Sequence, residues 1–212
     1  MPPTLLFTGF EPFGGATFNP SGALASSLHG RILDDGTLVH GVTLPVSGPA
    51  AWRKLNRAIR RYRPHWIIAS GVSGRAGLCI ETTAWNEADY PIPDNAGLQP
   101  RQTRILPRGQ AKLESALTKM YPLPRDLTRL PLPVHFSHDP GRYVCNYLYY
   151  RLLYLTQRPS HSAHGRCVFL HLAATHEMRQ PGQNTGNFPT MEDLQTTVLR
   201  VTARLLTGFQ EQ

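Results

Sequence analysis

Apolar, β-rich runs alternate along this chain with segments whose apolar residues recur at helical spacing, and no other feature constrains the fold as strongly. Strands are predicted over residues 4–8, 38–44, 65–69, 80–85, 134–137 and 167–172. Helices are predicted over 21–28 and 110–121, and along the apolar stripes that begin near 52, 144 and 190. Continuous apolar strands such as 65–69 are typical of a parallel sheet buried on both faces. The alternation therefore predicts an α/β fold with helices on both faces of a mostly parallel (mixed), twisted sheet.

The chain is long enough to bury a sizeable core. Its 212 residues, 41% of them hydrophobic, predict a single domain over 1–212. Residues 87–109 are rich in Pro, Gly, Asn and Asp, which predicts an ordered loop or arm. No apolar run approaches the roughly 20 residues of a membrane helix, and the opening segment MPPTLLFTGFEPFGG lacks a basic leader. A cytosolic location with no membrane partner is the expectation.

The charge balance is basic but spread along the chain. The 22 Lys and Arg residues outnumber the 14 Asp and Glu residues, for a net charge of +8. The densest group, Arg57 to Arg63, lies at the end of an amphipathic helical stripe and is interpreted as its solvated face. A nucleic-acid partner is the alternative, but charge alone supports it, so no such partner is expected.

Cys145 is the most informative residue. It is one of three cysteines whose spacing matches no zinc or redox motif, so neither a bound metal nor a disulfide framework is expected. It follows Pro-Gly-Arg-Tyr-Val at the start of an apolar-striped helix, where the helix dipole and free N–H groups favour a nucleophilic thiolate. The backbone N–H groups of Val144 and Cys145 are candidates for holding an oxyanion. The alternative is a buried structural cysteine.

His171 and Glu81 are the candidate partners of Cys145. His171 lies near the end of an apolar strand, where it is either a satisfied core residue or a general base, provided that it reaches the thiol. Glu81 opens the segment Glu-Thr-Thr-Ala-Trp-Asn, and a carboxylate entering a buried run needs a partner. It either orients His171, which completes a nucleophile–base–orienter set, or pairs with an arginine.

The glycine-rich segment Gly-Phe-Glu-Pro-Phe-Gly-Gly matches neither a phosphate loop nor a dinucleotide fingerprint, so no cofactor is expected there. Its two aromatic residues, Phe10 and Phe13, either wall a small apolar pocket or simply pack in the core.

Five ordered segments resemble the type I pyroglutamyl peptidases, also called pyrrolidone-carboxylate peptidases. They are Leu-Leu-Phe-Thr-Gly-Phe-Glu-Pro-Phe-Gly-Gly with Asn19-Pro20-Ser21, the segment 81–86, Ile92 to Gly97 with Gln99-Pro100, the segment 137–146, and Phe169-Leu170-His171. They follow the family's order and span the chain from end to end, which makes the combination specific.

The resemblance implies a cysteine peptidase that hydrolyses the bond after an N-terminal pyroglutamyl residue of peptides, through a thioester. It implies a triad of Cys145, His171 and Glu81, and a lactam pocket near Phe10, Phe13, Asn19 and Tyr143. It further implies a three-layer α/β/α sandwich, no metal or cofactor, and a homodimer or homotetramer.

The chain departs from the family around the implied pocket. Pro91 stands where the family usually has Arg, and the stretch Gln-Ala-Gly-Gly-Arg appears as Gly71-Val72-Ser73-Gly74-Arg75. His138 replaces the usual Asn, Arg142 replaces a small residue, and a Pro-containing stretch becomes 173–176. Arg142 is either a cation that supports the thiolate or a solvated loop residue. An impaired homologue that binds pyroglutamyl peptides is the alternative function.

Overall fold

The computed structural model describes residues 2–116, 125–161, 163, 166–178 and 188–208. The strands are β1 Thr4–Phe10, β2 Leu38–Leu44, β3 Trp66–Ser73, β4 Leu78–Glu81, β5 Thr83–Trp85, β6 Lys112–Glu114, β7 Val134–Ser137 and β8 Cys167–Ala173. The helices are α1 Pro20–Leu28, α2 Gly48–Tyr62, α3 Val144–Thr156 and α4 Met191–Gly208. Two short 3-10 turns span Arg125–Arg129 and His176–Met178. None of these helices has the length and apolar character needed to cross a bilayer.

Six strands form the main sheet in the order β2-β1-β3-β8-β4-β7. The first four run parallel, β4 pairs antiparallel with β8, and β7 pairs parallel with β4. Strands β5 and β6 form a separate antiparallel pair. The mostly parallel, mixed sheet predicted from the alternating pattern is confirmed.

Helices cover both faces of this sheet, as a three-layer α/β/α sandwich requires. Helices α2 and α3 bury Leu55 and Leu148 against one face, which includes Ile67 and Phe169. Helices α1 and α4 bury apolar residues such as Leu24 and Val198 against the other face. Strand residues alternate between the two clusters because successive side chains of a strand point to opposite faces.

Most of the predicted elements are present, and the last helix begins next to residue 190, where its apolar stripe is predicted to start. The Thr190 hydroxyl accepts the Asp193 N–H at 3.1 Å and donates to the Asp193 carboxylate at 2.8 Å. The predicted strand over 80–85 is two strands, because the chain leaves the main sheet at Thr82.

The predicted helix over 110–121 is wrong where the structure describes it, because Lys112–Glu114 is strand β6. Residues 117–121 lie outside the described residues. Leu113 pairs with Ala84 of β5, and both are buried beneath α3. Burial of the apolar face of this strand pair outweighs the local helix propensity of the segment. The preceding stretch, 87–109, is an arm without named strands or helices, and its residues Ala88, Tyr90 and Ile105 are buried in the core.

Candidate active site

Cys145 lies in the first turn of α3, directly after the N-cap residue Tyr143 and Val144. The Tyr143 side chain makes no capping hydrogen bond. The first N–H groups of a helix have no acceptor within the helix. Val144 and Cys145 carry two of these N–H groups, and the positive end of the helix dipole favours an anion near the half-exposed thiol.

Asn146, the next residue, holds the start of α3 in place. Its side chain is fully buried and accepts the Trp85 N–H at 2.8 Å. Its amide nitrogen donates to the carbonyl oxygens of Trp85 and Glu87, at 2.9 and 2.8 Å. The first turn of α3 is thus fixed to the chain that leaves β5, and the position of Cys145 is fixed with it.

Gly71 of β3 lets the thiol approach the sheet. A Cβ atom at Gly71 would lie 2.8 Å from the Cys145 Sγ and 3.2 Å from the Phe169 ring. Gly71 pairs with His171 in the β3–β8 ladder. The sulfur therefore lies over the strand backbone at the ladder neighbour of His171, and in this arrangement a side chain at residue 71 would require the sulfur to shift.

His171 and Glu81 meet across the antiparallel strands β8 and β4. Glu81 pairs with Phe169, two residues before His171, so the side chains of Glu81 and His171 emerge on the same face. The His171 Nδ1 donates to Glu81 Oε1 at 2.7 Å, and both residues are buried. This bond fixes the ring and leaves Nε2 as the nitrogen that can serve a nucleophile.

The charge state of His171 is shifted by its neighbours. Burial lowers its pKa, but hydrogen bonds to Cys145 and Glu81, together with the negative charges of both, outweigh burial and raise the pKa to about 9. The arrangement therefore supports an imidazolium at His171 at neutral pH.

Glu81 both bonds His171 and pairs with an arginine, the two alternatives that its sequence position left open. Besides bonding His171, its Oε1 accepts from Arg75 Nη1 at 3.4 Å. The Tyr149 hydroxyl donates to the Glu81 main-chain oxygen at 2.8 Å and so fixes the end of β4 against α3.

A small pocket opens beside the Cys145 thiol. It encloses about 280 Å³ of space free of atoms, its open mouth included. The described residues that line it are Phe10, Phe13, Asn19, Val46, Val72, Tyr143, Val144 and Cys145. The four side chains that the resemblance implies for a lactam pocket are thus brought together with the nucleophile candidate and the start of its helix.

Asn19, in the pocket wall, caps helix α1 and anchors the turn at Glu11. Its Oδ1 accepts the Ser21 N–H and hydroxyl, which caps α1, and its Nδ2 donates to the Glu11 carbonyl oxygen at 2.9 Å. One amide N–H then remains available for a ligand.

Glu11 ties the rims of the pocket together. Its Oε1 accepts from the Val46 N–H at 3.0 Å and from the Asn95 side chain at 2.9 Å. Three loops that are far apart in sequence therefore meet at one carboxylate. Tyr143 adds a further link, since its hydroxyl donates to the Pro93 carbonyl at 3.1 Å and its ring packs edge-on to Tyr90.

Arg142 is engaged away from the thiol. It pairs with Glu87 at 3.0 Å and with Asp139 at 2.6 Å, and its guanidinium lies 4.6 Å from the centre of the Trp85 ring. These contacts favour a structural role in the loop before α3 over support of the thiolate.

Sequence reasoning assigned no role to several residues that the structure places here. Gly71 and Arg75 belong to the segment 71–75 that departs from the family, but only the tertiary structure shows that they approach Cys145 and Glu81. Val46 and Val72 carry no chemical signal at all. Glu11 is a half-buried carboxylate inside an aromatic and glycine-rich turn, and its residue type could have signalled a need for hydrogen-bond partners.

The other two cysteines differ from Cys145 in environment. Burial raises the pKa of both the Cys79 and Cys167 thiols, that of Cys167 to about 12. Within the described ranges, no group of three His, Cys, Asp or Glu side chains could hold a metal ion.

Known proteins resemble this chain along nearly its whole length. A family profile described as pyroglutamyl peptidase matches residues 4–211. A pyrrolidone-carboxylate peptidase of Chromobacterium violaceum is 37% identical over 182 residues, which cover 84% of this chain and 82% of the relative. One from Vibrio vulnificus is 32% identical over 98% of this chain and 93% of its own.

The solved structures give the same result. The crystal structure of pyroglutamyl peptidase I from Bacillus amyloliquefaciens superposes with a TM-score of 0.83 at 27% identity, covering 97% of this chain and 95% of that one. A match over nearly the whole length, in both sequence and fold, shows the family: this chain belongs to the pyroglutamyl peptidases.

Proposed function

We propose that this chain is a cysteine peptidase that hydrolyses the bond after an N-terminal pyroglutamyl (5-oxoproline) residue of peptides. In this proposal Cys145 is the nucleophile, His171 the general acid and base, and Glu81 the group that orients His171. One observation carries the proposal: the thiol at the start of α3 borders a small pocket and lies over Gly71, the ladder neighbour of an imidazole that Glu81 holds at 2.7 Å.

The pocket chemistry suits an uncharged cyclic residue. A pyroglutamyl group has no charged amine, and none of the described residues that line the pocket carries a carboxylate or a cation. The rings of Phe10, Phe13 and Tyr143 supply apolar walls, and the remaining Asn19 N–H supplies a donor for the lactam carbonyl. A linear residue would leave the lactam-binding groups unpaired, and such mismatches are rejected strongly.

The first half of the reaction forms a thioester. The Cys145 thiolate attacks the carbonyl carbon between pyroglutamate and the next residue, and the carbonyl oxygen becomes an oxyanion. The backbone N–H groups of Val144 and Cys145 stabilise this charge. His171 then gives its proton to the leaving nitrogen, the C–N bond breaks, and the shortened peptide departs with a free amine.

The second half restores the enzyme. Neutral His171 takes a proton from a water molecule, whose oxygen attacks the thioester carbon. Collapse of the second oxyanion breaks the C–S bond and releases pyroglutamate. The proton held by His171 and the thiolate of Cys145 re-form the starting ion pair, while Glu81 keeps the ring oriented throughout.

A fluorogenic pyroglutamyl amide tests the proposal against the alternative of an impaired binding homologue. We expect turnover of this amide, none of the matched prolyl amide, and loss of turnover in Cys145→Ser. Binding of a pyroglutamyl peptide without turnover by the wild-type protein would instead establish the impaired homologue.

The proposal also covers the location, domain organisation, oligomeric state and partners of the protein. A catalytic thiol needs a reducing environment, which supports the cytosol as its location. The resemblance supports one domain over 1–212 and a homodimer or homotetramer, and light scattering of the purified protein measures the latter. Peptides with an N-terminal pyroglutamyl residue are the expected partners, and no cofactor enters the mechanism.

A further inference from the structure

Arg75 lies in the turn between β3 and β4 and reaches three separate parts of the candidate active site. Its Nη1 donates to Glu81 Oε1 at 3.4 Å and to the Ser137 hydroxyl at 2.7 Å. Its Nη2 donates to the Asp139 carbonyl oxygen at 2.7 Å. A single guanidinium therefore joins the triad carboxylate, the end of β7 and the loop that leads to Cys145.

Glu81 depends on this contact because of its burial. Its side chain is fully buried, and a buried carboxylate is costly unless it is paired. Its Oε1 is shared between His171 and Arg75, and its Oε2 has no hydrogen-bond partner among the described residues. Both hydrogen bonds that stabilise the Glu81 carboxylate among the described residues therefore end on Oε1.

The charged and titratable groups around Glu81 come from three other elements and from β4 itself. Arg75 and His171 bond the carboxylate directly. Cys79 lies two residues before Glu81 on β4, and burial raises the pKa of its thiol, so it contributes no charge near neutral pH. Tyr149 of α3 bonds the main chain of Glu81, and burial raises its pKa well above the ordinary value. Arg75 is therefore the permanent cation among these groups.

The permanent positive charge of Arg75 matters for the proposed reaction, because the charge of His171 changes during it. His171 is cationic before it protonates the leaving amine and neutral afterwards. While His171 is neutral, Arg75 alone among the groups named above offsets the buried carboxylate. Without that cation, Glu81 competes for the proton that His171 must receive from water.

We propose that Arg75 is a positioning residue of the catalytic site, which holds Glu81 in its ionised form through both halves of the reaction and so keeps His171 oriented. Arg75 does this by charge, since its nearer contacts with Ser137 and Asp139 only hold the guanidinium in place. It touches neither the substrate nor the reacting atoms in this assignment. The inference rests on the proposed peptidase function.

The test compares Arg75→Met, Arg75→Lys and the wild-type protein. Methionine keeps an unbranched stem and removes the charge, whereas lysine restores a cation without the guanidinium fork. Arg204→Met is the matched control. Arg204 lies on α4, which packs on the face of the sheet opposite to α3 and Cys145, and it pairs with Asp126 at 3.9 Å. Turnover of the fluorogenic pyroglutamyl amide is followed from pH 5 to 10, and alkylation of Cys145 by iodoacetamide is followed in parallel.

For Arg75→Met we expect kcat to fall about tenfold or more with little change in KM, and the acidic limb of the pH profile to move to higher pH. A buried carboxylate without its cation takes up a proton at higher pH, and His171 then loses its partner. Arg75→Lys is expected to recover most of both effects, and Arg204→Met to behave as the wild type.

The inference is overturned if the acidic limb of Arg75→Met stays in place or moves to lower pH. It is also overturned if Arg75→Lys has a kcat and an acidic limb no closer to the wild type than those of Arg75→Met. Alkylation separates this failure from failure of the proposed function, because it needs no substrate. Slower alkylation of Arg75→Met near pH 6 supports the role of Arg75 even if the wild-type protein turns over no pyroglutamyl amide, whereas an unchanged rate contradicts it.

Discussion

The Cys145 thiol occupies the space that a side chain on Gly71 would need: the Sγ lies 2.8 Å from where a Cβ would stand. Gly71 is the direct β-ladder neighbour of His171, so in this chain the sulfur lies over the strand position next to the imidazole. The glycine thus acts as a specific part of the candidate site rather than as a flexible turn residue.

Gly71→Ala is expected to reduce kcat/KM by about 100-fold or more, because a misplacement of roughly 1 Å in a reacting group has that effect. The added methyl also meets the Phe169 ring at 3.2 Å, so the free energy of unfolding is expected to fall by about 1–3 kcal/mol. Amide turnover and thermal unfolding measure the two effects. A Cβ at Gly74 meets nothing within 4 Å, so Gly74→Ala is expected to keep the wild-type melting temperature. An active Gly71→Ala would remove the close approach of the thiol from the mechanism.

Iodoacetamide is expected to label Cys145 well before Cys79 and Cys167. Cys145 is half-exposed at a helix start, whereas both other thiols are buried and have raised pKa values. Mass spectrometry of tryptic peptides after brief alkylation at pH 7.5 identifies the modified residue. Cys145→Ser is expected to fold normally, resist labelling and lose nearly all turnover. Equal labelling of all three cysteines would contradict the assignment.

The pH dependence of turnover is expected to follow His171 on its basic side. Because the pKa of His171 is raised to about 9, the imidazolium that protonates the leaving amine persists up to that pH and is lost above it. A plot of kcat/KM against pH should therefore fall above about pH 9 rather than near the ordinary value of 6.5.

Glu81→Gln removes the carboxylate that helps to raise the pKa of His171, so the basic limb is expected to move to lower pH. Its loss of activity should be smaller than that of His171→Ala, since an orienting group contributes less than the base that it orients. A basic limb at the same pH in Glu81→Gln would show that the carboxylate does not influence the imidazole.

Phe13→Ala tests the pocket wall. The Phe13 side chain is half-buried, lines the pocket and packs 6.2 Å from the Tyr143 ring, centre to centre. We expect KM for the pyroglutamyl amide to rise by about tenfold or more while the melting temperature changes little, because the lost apolar contact is mainly with the ligand. The reverse result, with normal KM and a much less stable protein, would assign Phe13 to packing alone.

Arg142→Ala is expected to leave both the pH profile and the rate of Cys145 alkylation unchanged, in contrast to Arg75→Met. Its guanidinium is already paired with Glu87 and Asp139 and stacked on Trp85. Loss of these partly exposed contacts should lower the free energy of unfolding by about 1 kcal/mol. Slower alkylation of this variant would restore Arg142 as a cation that acts on the thiol.

The order of the secondary structure elements was readable from the sequence, because period and burial pattern are local properties. Apolar runs such as 65–69 and the stripe from Val144 to Leu155 lie where the pattern predicts them. A clear exception is 112–114, where pairing with β5 outweighs local propensity. The ordered motifs likewise identified the family and the three triad candidates before any contact was known.

Only the tertiary structure decided which of those candidates meet. Glu81 and His171 are 90 residues apart, and their contact depends on β4 running antiparallel to β8 in one register. A shift of one residue would turn either side chain to the opposite face, and no local pattern encodes that register. The same holds for Gly71 beneath Cys145 and for Arg75 beside Glu81. Their roles follow from strand order and close approach, which arise from the packing of distant segments, whereas the sequence determined the chemistry of each side chain.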